Sequence, residues 1–286
     1  MKSFFSLLGE TFRQWNAHKA PKMGAALAYY AMFSLAPLVI LVLSLVSLAV
    51  EKNAARTELI DQFRQLIGQD GANVVEMILA NAASQKTGIW STIIGFTVLL
   101  IGASGVFVEL HDSLNQIWEV SSARHPFYLI IKERLLSFVM ILVMGFLLLT
   151  SFLLSTAITF ASKYLQGKIP ALGGIWEWGN VLVSLALVTL LFALIFKVLP
   201  GVRIGWRDVW LGALLTAVLF VLGKLLLGFY IGQSAIASSY GAAGSLIIIL
   251  VWVFYSAQIL FFGAEFTRAY ALKYGSHRHK AKARKH

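Results

Sequence analysis

Lys224 is the one charged residue inside an otherwise apolar run from Val209 to Tyr230. A Lys at the centre of a bilayer costs about 2.5–3.5 kcal/mol on insertion scales, so such a residue either snorkels to the headgroups or faces an internal cavity. A helical side chain leans toward its N-terminus, which makes an outward reach awkward here. Facing a cavity, the ammonium would attract an anionic group. Gln258, in the last apolar run, is a polar candidate to stand near it, and Tyr240 lies in the short Gly/Ser/Ala segment between the two. Tyr29, Tyr30, Ser34 and Pro37 gather in the first apolar run. A Pro inside a helix removes one backbone bond and clashes with the carbonyl four residues earlier, here that of Phe33. Ser34 is placed to satisfy part of the freed backbone. The plain reading is a packed kink; the functional one is a broken helix beside a substrate path.

A second polar set follows the second apolar run. Phe107, Leu110, Leu114, Ile117 and Trp118 share one helical face, while Glu109, Asp112 and Gln116 share another. With Asn115 and the distant Glu265, this stripe is a candidate lining for a cytoplasmic vestibule. Glu265 is expected to pair with Arg268 at i+3.

Catalytic chemistry finds little support. Gly102-Ala103-Ser104-Gly105 resembles the nucleophile turn of rhomboid intramembrane proteases, but such a Ser needs a base within hydrogen-bond reach. None of the six histidines lies in a later apolar run. No HExxH occurs, and His111, Asp112 and Asn115 are ordinary polar neighbours at a helix end. Asp61, Asp70, Asp112 and Asp208 all fall in loops or at edges, so no intramembrane aspartyl pair forms. No catalytic residue, metal ligand or cofactor is expected.

The whole chain explains why these residues must be read in a membrane. Of 286 residues, 58% are apolar and 13% charged, and the mean hydropathy is +0.77. Soluble domains carry about 25% charged residues. A soluble enzyme, a disordered chain and a fibrous repeat are excluded. Cysteine is absent, which removes disulfides and thiolate sites.

Six stretches are long and apolar enough to cross a core of about 30 Å, which takes about 20 helical residues. They run over about 25–50, 87–108, 135–162, 178–197, 209–230 and 243–270. The expected fold class is all-α: a polytopic membrane protein with six transmembrane helices plus interfacial and short periplasmic helices. Seventeen of the 24 Lys and Arg fall on the face that carries both termini and six on the other. The positive-inside rule places both termini in the cytoplasm. Residues 1–24 read as an amphipathic interfacial segment, with Phe4, Phe5, Leu8, Phe12 and Trp15 at spacings of three and four. Residues 51–86 read as a periplasmic cover of two short helices. Leu59, Ile60, Phe63, Leu66 and Ile67 form one face, and Val74, Val75, Ile78 and Leu79 the other, on either side of a turn at Gly68–Gly71. Residues 25–271 make the membrane domain, and 272–286 a basic cytoplasmic tail.

Four stretches resemble the YihY/virulence factor BrkB family: AALAYYAMFSLAPL (25–38), LNQIW (114–118), LPGVRIGWRDVWLGALL (199–215) and SSYGAAGSLIIILVWVFYSAQILFFGAEFTRAY (238–270). The resemblance implies a bacterial inner-membrane protein with six helices and cytoplasmic termini. The family has carried an old ribonuclease BN label. Nuclease chemistry wants clustered carboxylates on a metal or paired bases, and the carboxylates here are scattered.

The functional expectation is a transporter-like protein that exports or flips an amphipathic compound with an anionic group. The alternative is a non-transporting scaffold for envelope biogenesis; an embedded enzyme ranks last. The expected partners are membrane lipids, with acidic phospholipid at the basic tail, and a small amphipathic ligand of unknown identity. Nucleic acid is not expected, and the sequence leaves the oligomeric state open.

Overall fold

The computed structural model describes residues 2–47, 51–84, 105–120, 173–233 and 242–277. Its elements are α1 (Lys2–Ala17), α2 (Ala20–Val46), α3 (Lys52–Ser84), α4 (105–117), α5 (Gly173–Val198), α6 (Trp206–Gln233) and α7 (Ala242–Lys273). All regular structure among the described residues is helical.

Among the described residues, four stretches are long and apolar enough to cross a membrane: Ala20–Ser44, Val181–Val198, Trp206–Leu227 and Leu246–Lys273. They correspond to the expected first, fourth, fifth and sixth spans. The third expected span, and the second up to residue 104, lie outside the described residues, so the structure bears on four spans rather than six.

Local sequence sets the helix ends. Pro21 sits in the first turn of α2, where a missing N–H costs nothing. Leu199-Pro200-Gly201 closes α5, since the residue before a Pro is pushed out of helical geometry. Asp208 lies in the first turn of α6 and Lys273 in the last turn of α7. Both signs suit the helix dipole.

The core joins α2, α4, α5, α6 and α7 through Met23, Phe107, Leu114, Phe196, Ala213 and Phe261. The α6–α7 seam is built on small residues. Gly212 faces Thr267, and Gly263 faces Thr216. Each Thr hydroxyl donates to its own helix, Thr216 to the Gly212 carbonyl at 2.6 Å and Thr267 to the Gly263 carbonyl at 2.7 Å. A side chain on either glycine would put its Cβ 2.9 Å from the facing threonine Cβ. Close approach over small residues at i and i+4 is the usual way apolar helices hold together in lipid.

α3 covers one end of this bundle, and Gly68, at φ 80, bends it into two helices. Leu59, Val75 and Leu79 pack on Val39, Val42 and Val46 of α2, while Val74 meets Ile249 of α7. At the opposite end, α1 lies along the last turns of α7. This opposite end also carries the 274–277 turn and is called the terminal end below.

Candidate functional site

The richest polar geometry lies at the terminal end, where α1, α2, α4 and α7 meet. Lys19 stands at φ 57 in the turn between α1 and α2. That turn presents His18 to α7, and the His18 Nδ1 lies 2.5 Å from Glu265 Oε1. Glu265 is fully buried. Its other oxygen, Oε2, is buried without a hydrogen-bond partner among the described residues. One turn further along α7, Arg268, 8% exposed, is ion-paired with Glu119. The second His18 nitrogen stands 3.8 Å from that same Glu119 carboxylate. His18 therefore lies between two carboxylates on two different elements.

Glu119 reaches this position through the end of α4. The Val120 N–H bonds the Asn115 carbonyl at 3.0 Å, and the Glu119 N–H bonds the Gln116 carbonyl at 3.1 Å. This pair of bonds is a Schellman cap, and it forces the residue after the helix into the left-handed region. Glu119 takes that conformation at φ 50, although glycine is favoured there.

Neighbouring loops are tied to the same end. Asn115 Oδ1 accepts the Gly201 N–H at 2.8 Å, and Gln116 Nε2 donates to the His18 carbonyl at 3.2 Å. Asp208 accepts the Ser276 N–H at 2.9 Å and its hydroxyl at 2.7 Å. Between α1 and α7 lies a cavity of ≈ 320 Å³, lined by Ser6, Glu10, Gln14, Glu265, Arg268 and Lys273 among others. Hydrogen bonds from Arg13, then Gln14, hold the Glu10 carboxyl below its usual range.

Asn115, Gln116 and Glu265, three of the expected vestibule residues, are therefore gathered at one end. Asp112 faces outward, with His111 3.4 Å away. Glu109 is half-buried, and this burial raises its carboxyl above the usual range despite a hydrogen bond from Ser113. The expected Glu265–Arg268 pair is replaced: Glu265 bonds His18 and Arg268 bonds Glu119. Partners arriving from other elements outcompete the i+3 neighbour. His18 and Glu119 were absent from the sequence-derived candidates.

The expected substrate-path residues are dispersed. α2 runs as one helix through Pro37. Ser34 is buried and donates to the Ala31 carbonyl at 3.1 Å, not to Phe33, whose carbonyl Pro37 leaves free. Tyr29 and Tyr30 are 59% and 40% exposed, and Tyr30 lies against Gly105. Gln258 is turned toward α2, where a Cβ on Gly24 would overlap its amide. Both of its amide atoms are buried without hydrogen-bond partners among the described residues. Lys224 is half-buried on α6, and among the described residues no hydrogen bond or ion pair reaches it. Tyr240 and Ser104 lie outside the described residues. So does the tail from residue 278.

Comparison with known proteins decides the family. The virulence factor BrkB family matches residues 11–286. This chain belongs to the virulence factor BrkB family. A UPF0761 membrane protein of Alcanivorax borkumensis is 31% identical over 274 residues, covering 94% of this chain and 60% of the relative. A UPF0761 membrane protein of Alkalilimnicola ehrlichii is 27% identical, covering 90% and 56%. The UPF0761 membrane protein PA0951 of Pseudomonas aeruginosa is 29% identical, covering 90% and 62%. The chain thus spans about three-fifths of the length of these curated relatives. No solved structure matches. Relatives named as membrane proteins and four membrane-length helices together make this BrkB-family chain a multi-pass membrane protein. Three of the stretches that carry the family resemblance converge on the terminal end. Asn115 of 114–118 accepts the Gly201 N–H of 199–215, while Glu265 of 238–270 closes the site from α7.

Proposed function

We propose that this BrkB-family chain is a transporter-like protein of the bacterial inner membrane, exporting or flipping an amphipathic compound that carries an anionic group. Both termini lie in the cytoplasm, as the excess of Lys and Arg on their side favours. The terminal end is then the cytoplasmic end, and α3 lies over the periplasmic one. The basic tail rests on acidic phospholipid, to which each basic residue adds about 1 kcal/mol.

Lys224 carries this reading. It is half-buried within the apolar stretch Trp206–Leu227, and no described residue pairs with it. An ammonium kept at membrane depth without a protein partner is accounted for by an anionic partner that comes and goes. The Lys224→Met variant keeps a long flexible stem and removes the charge. It should insert and fold normally, yet lose the export or envelope phenotype that the wild type complements. Full complementation at matched expression would overturn the transport reading and favour a membrane scaffold instead.

A further inference from the structure

Among the described residues, Glu265 is the one carboxyl with a buried, unpartnered oxygen. It is fully buried, its Oε1 is taken by His18 at 2.5 Å, and its Oε2 has no hydrogen-bond partner among the described residues. Yet Glu265 also lines the ≈ 320 Å³ cavity between α1 and α7. A buried acceptor without a donor carries a desolvation cost, larger if it is charged. Something must supply a donor there. The lining argues against both an organic cation and an anion: Arg268 and Lys273 repel the first, Glu10 and Glu265 the second. A proton, delivered by water in the cavity, meets the need without adding bulk or a counter-charge.

We propose that the Glu265–His18 pair is a proton-binding site, filled from the terminal end through this cavity, whose proton is the coupling ion of the transport reading. Only the coupling role rests on that reading; the proton site stands on its own geometry.

The charges around the site set out the consequence. On Glu265 act His18 from the α1–α2 turn, Arg268 from its own helix and Glu119 from beyond α4. Glu10 of α1 and Lys273 of α7 line the cavity. Among the described residues, α2 and α6 add no further charge at this carboxyl. With one proton in the pair, His18 donates from Nδ1 to Oε1. A proton passed from the cavity to the Glu265 carboxyl removes the negative charge that faces His18. The charge that His18 meets on α7 is then gone, while the Glu119 carboxyl stands 3.8 Å away on its other side. His18 is drawn from α7 toward Glu119. Because His18 lies in the α1–α2 turn, proton binding changes the attachment of that turn to α7.

The test uses the full chain in lipid nanodiscs and infrared difference spectra between alkaline and acidic buffer. The wild type should show a protonated-carboxyl band that grows on acidification. With Glu109→Gln as the common background, which removes the other raised carboxyl, Glu265→Gln should lose it, Glu10→Gln should keep it, and His18→Gln should move the pH at which it appears. If Glu265→Gln does not fold, the His18→Gln displacement carries the test. A band unchanged in Glu265→Gln, or one abolished only by Glu119→Gln, overturns the proposal; with Glu265→Gln unfolded, a band unmoved by His18→Gln does the same. Full complementation by Lys224→Met alongside an intact Glu265 band would overturn the coupling role alone. Loss of complementation alongside no Glu265 band would overturn the proton site and leave transport standing.

Discussion

Glu119 holds the buried Arg268 guanidinium from a left-handed backbone at φ 50. The Schellman cap that ends α4 requires that conformation, and a non-glycine residue there costs about 1–2 kcal/mol. The carboxylate is thus kept in place against a backbone preference.

Two substitutions separate the backbone from the charge. Glu119→Ala loses the Arg268 partner and keeps the strained backbone. Glu119→Gly loses the partner and relieves the strain. Thermal unfolding in detergent should rank the wild type first, Glu119→Gly second and Glu119→Ala last, with about 1 kcal/mol between the two variants. Equal stability of the variants would mean that φ at 119 costs nothing.

The α6–α7 seam predicts a steric penalty. Gly263→Ala drives a methyl against Thr216, and overpacking of this kind costs about 1–3 kcal/mol. Thr216→Gly in the same chain removes the obstructing side chain and should recover part of the loss. A Gly263→Ala protein as stable as the wild type would show that the helices can part without cost.

Glu109 gives a pH dependence. Burial raises its carboxyl above the ordinary value, so the folded state binds a proton that the unfolded chain has already released. Stability therefore falls as pH rises from the unfolded value through the folded one. Glu109→Gln removes this effect. Its stability should exceed that of the wild type at neutral pH, and the gap should close on acidification. A gap that widens on acidification would contradict the sign.

Orientation is tested by single-Cys variants, since the chain has no native Cys. An impermeant thiol reagent applied to intact spheroplasts should label Cys at position 65 and spare Cys at 19 and 280. The reverse pattern would invert the proposed topology.

The four membrane-length helices were legible because each holds a long run nearly free of charge, and such a run has few alternatives in lipid. The bend in α3 was legible too, because Gly68 breaks a helical pattern that resumes on the other side. The polar site was not. His18 and Glu265 are 247 positions apart and Glu119 and Arg268 are 149 apart, so no local spacing joins them. Read locally, Glu265 and Arg268 look like a pair, and only the approach of the α1–α2 turn and of α4 reassigns both. His18 gave a faint signal as a lone imidazole between an amphipathic segment and the first apolar run. Glu119 gave less, because a carboxylate in place of a C-terminal glycine leaves no mark until the backbone is seen.

α2 and α7 are held together along their length. Near the α3 end they share a greasy clasp, with Val39, Val42 and Val46 held by α3, which also grips Ile249. Further on, Met23 and Leu27 share the core with Ala257 and Phe261, and Gly24 sits against Gln258. At the terminal end the contact of His18 with Glu265 adds a polar latch just ahead of α2. Two rods glued along a seam do not swing apart when a latch at one tip lets go; what comes loose is the α1–α2 turn, like the free end of a strap.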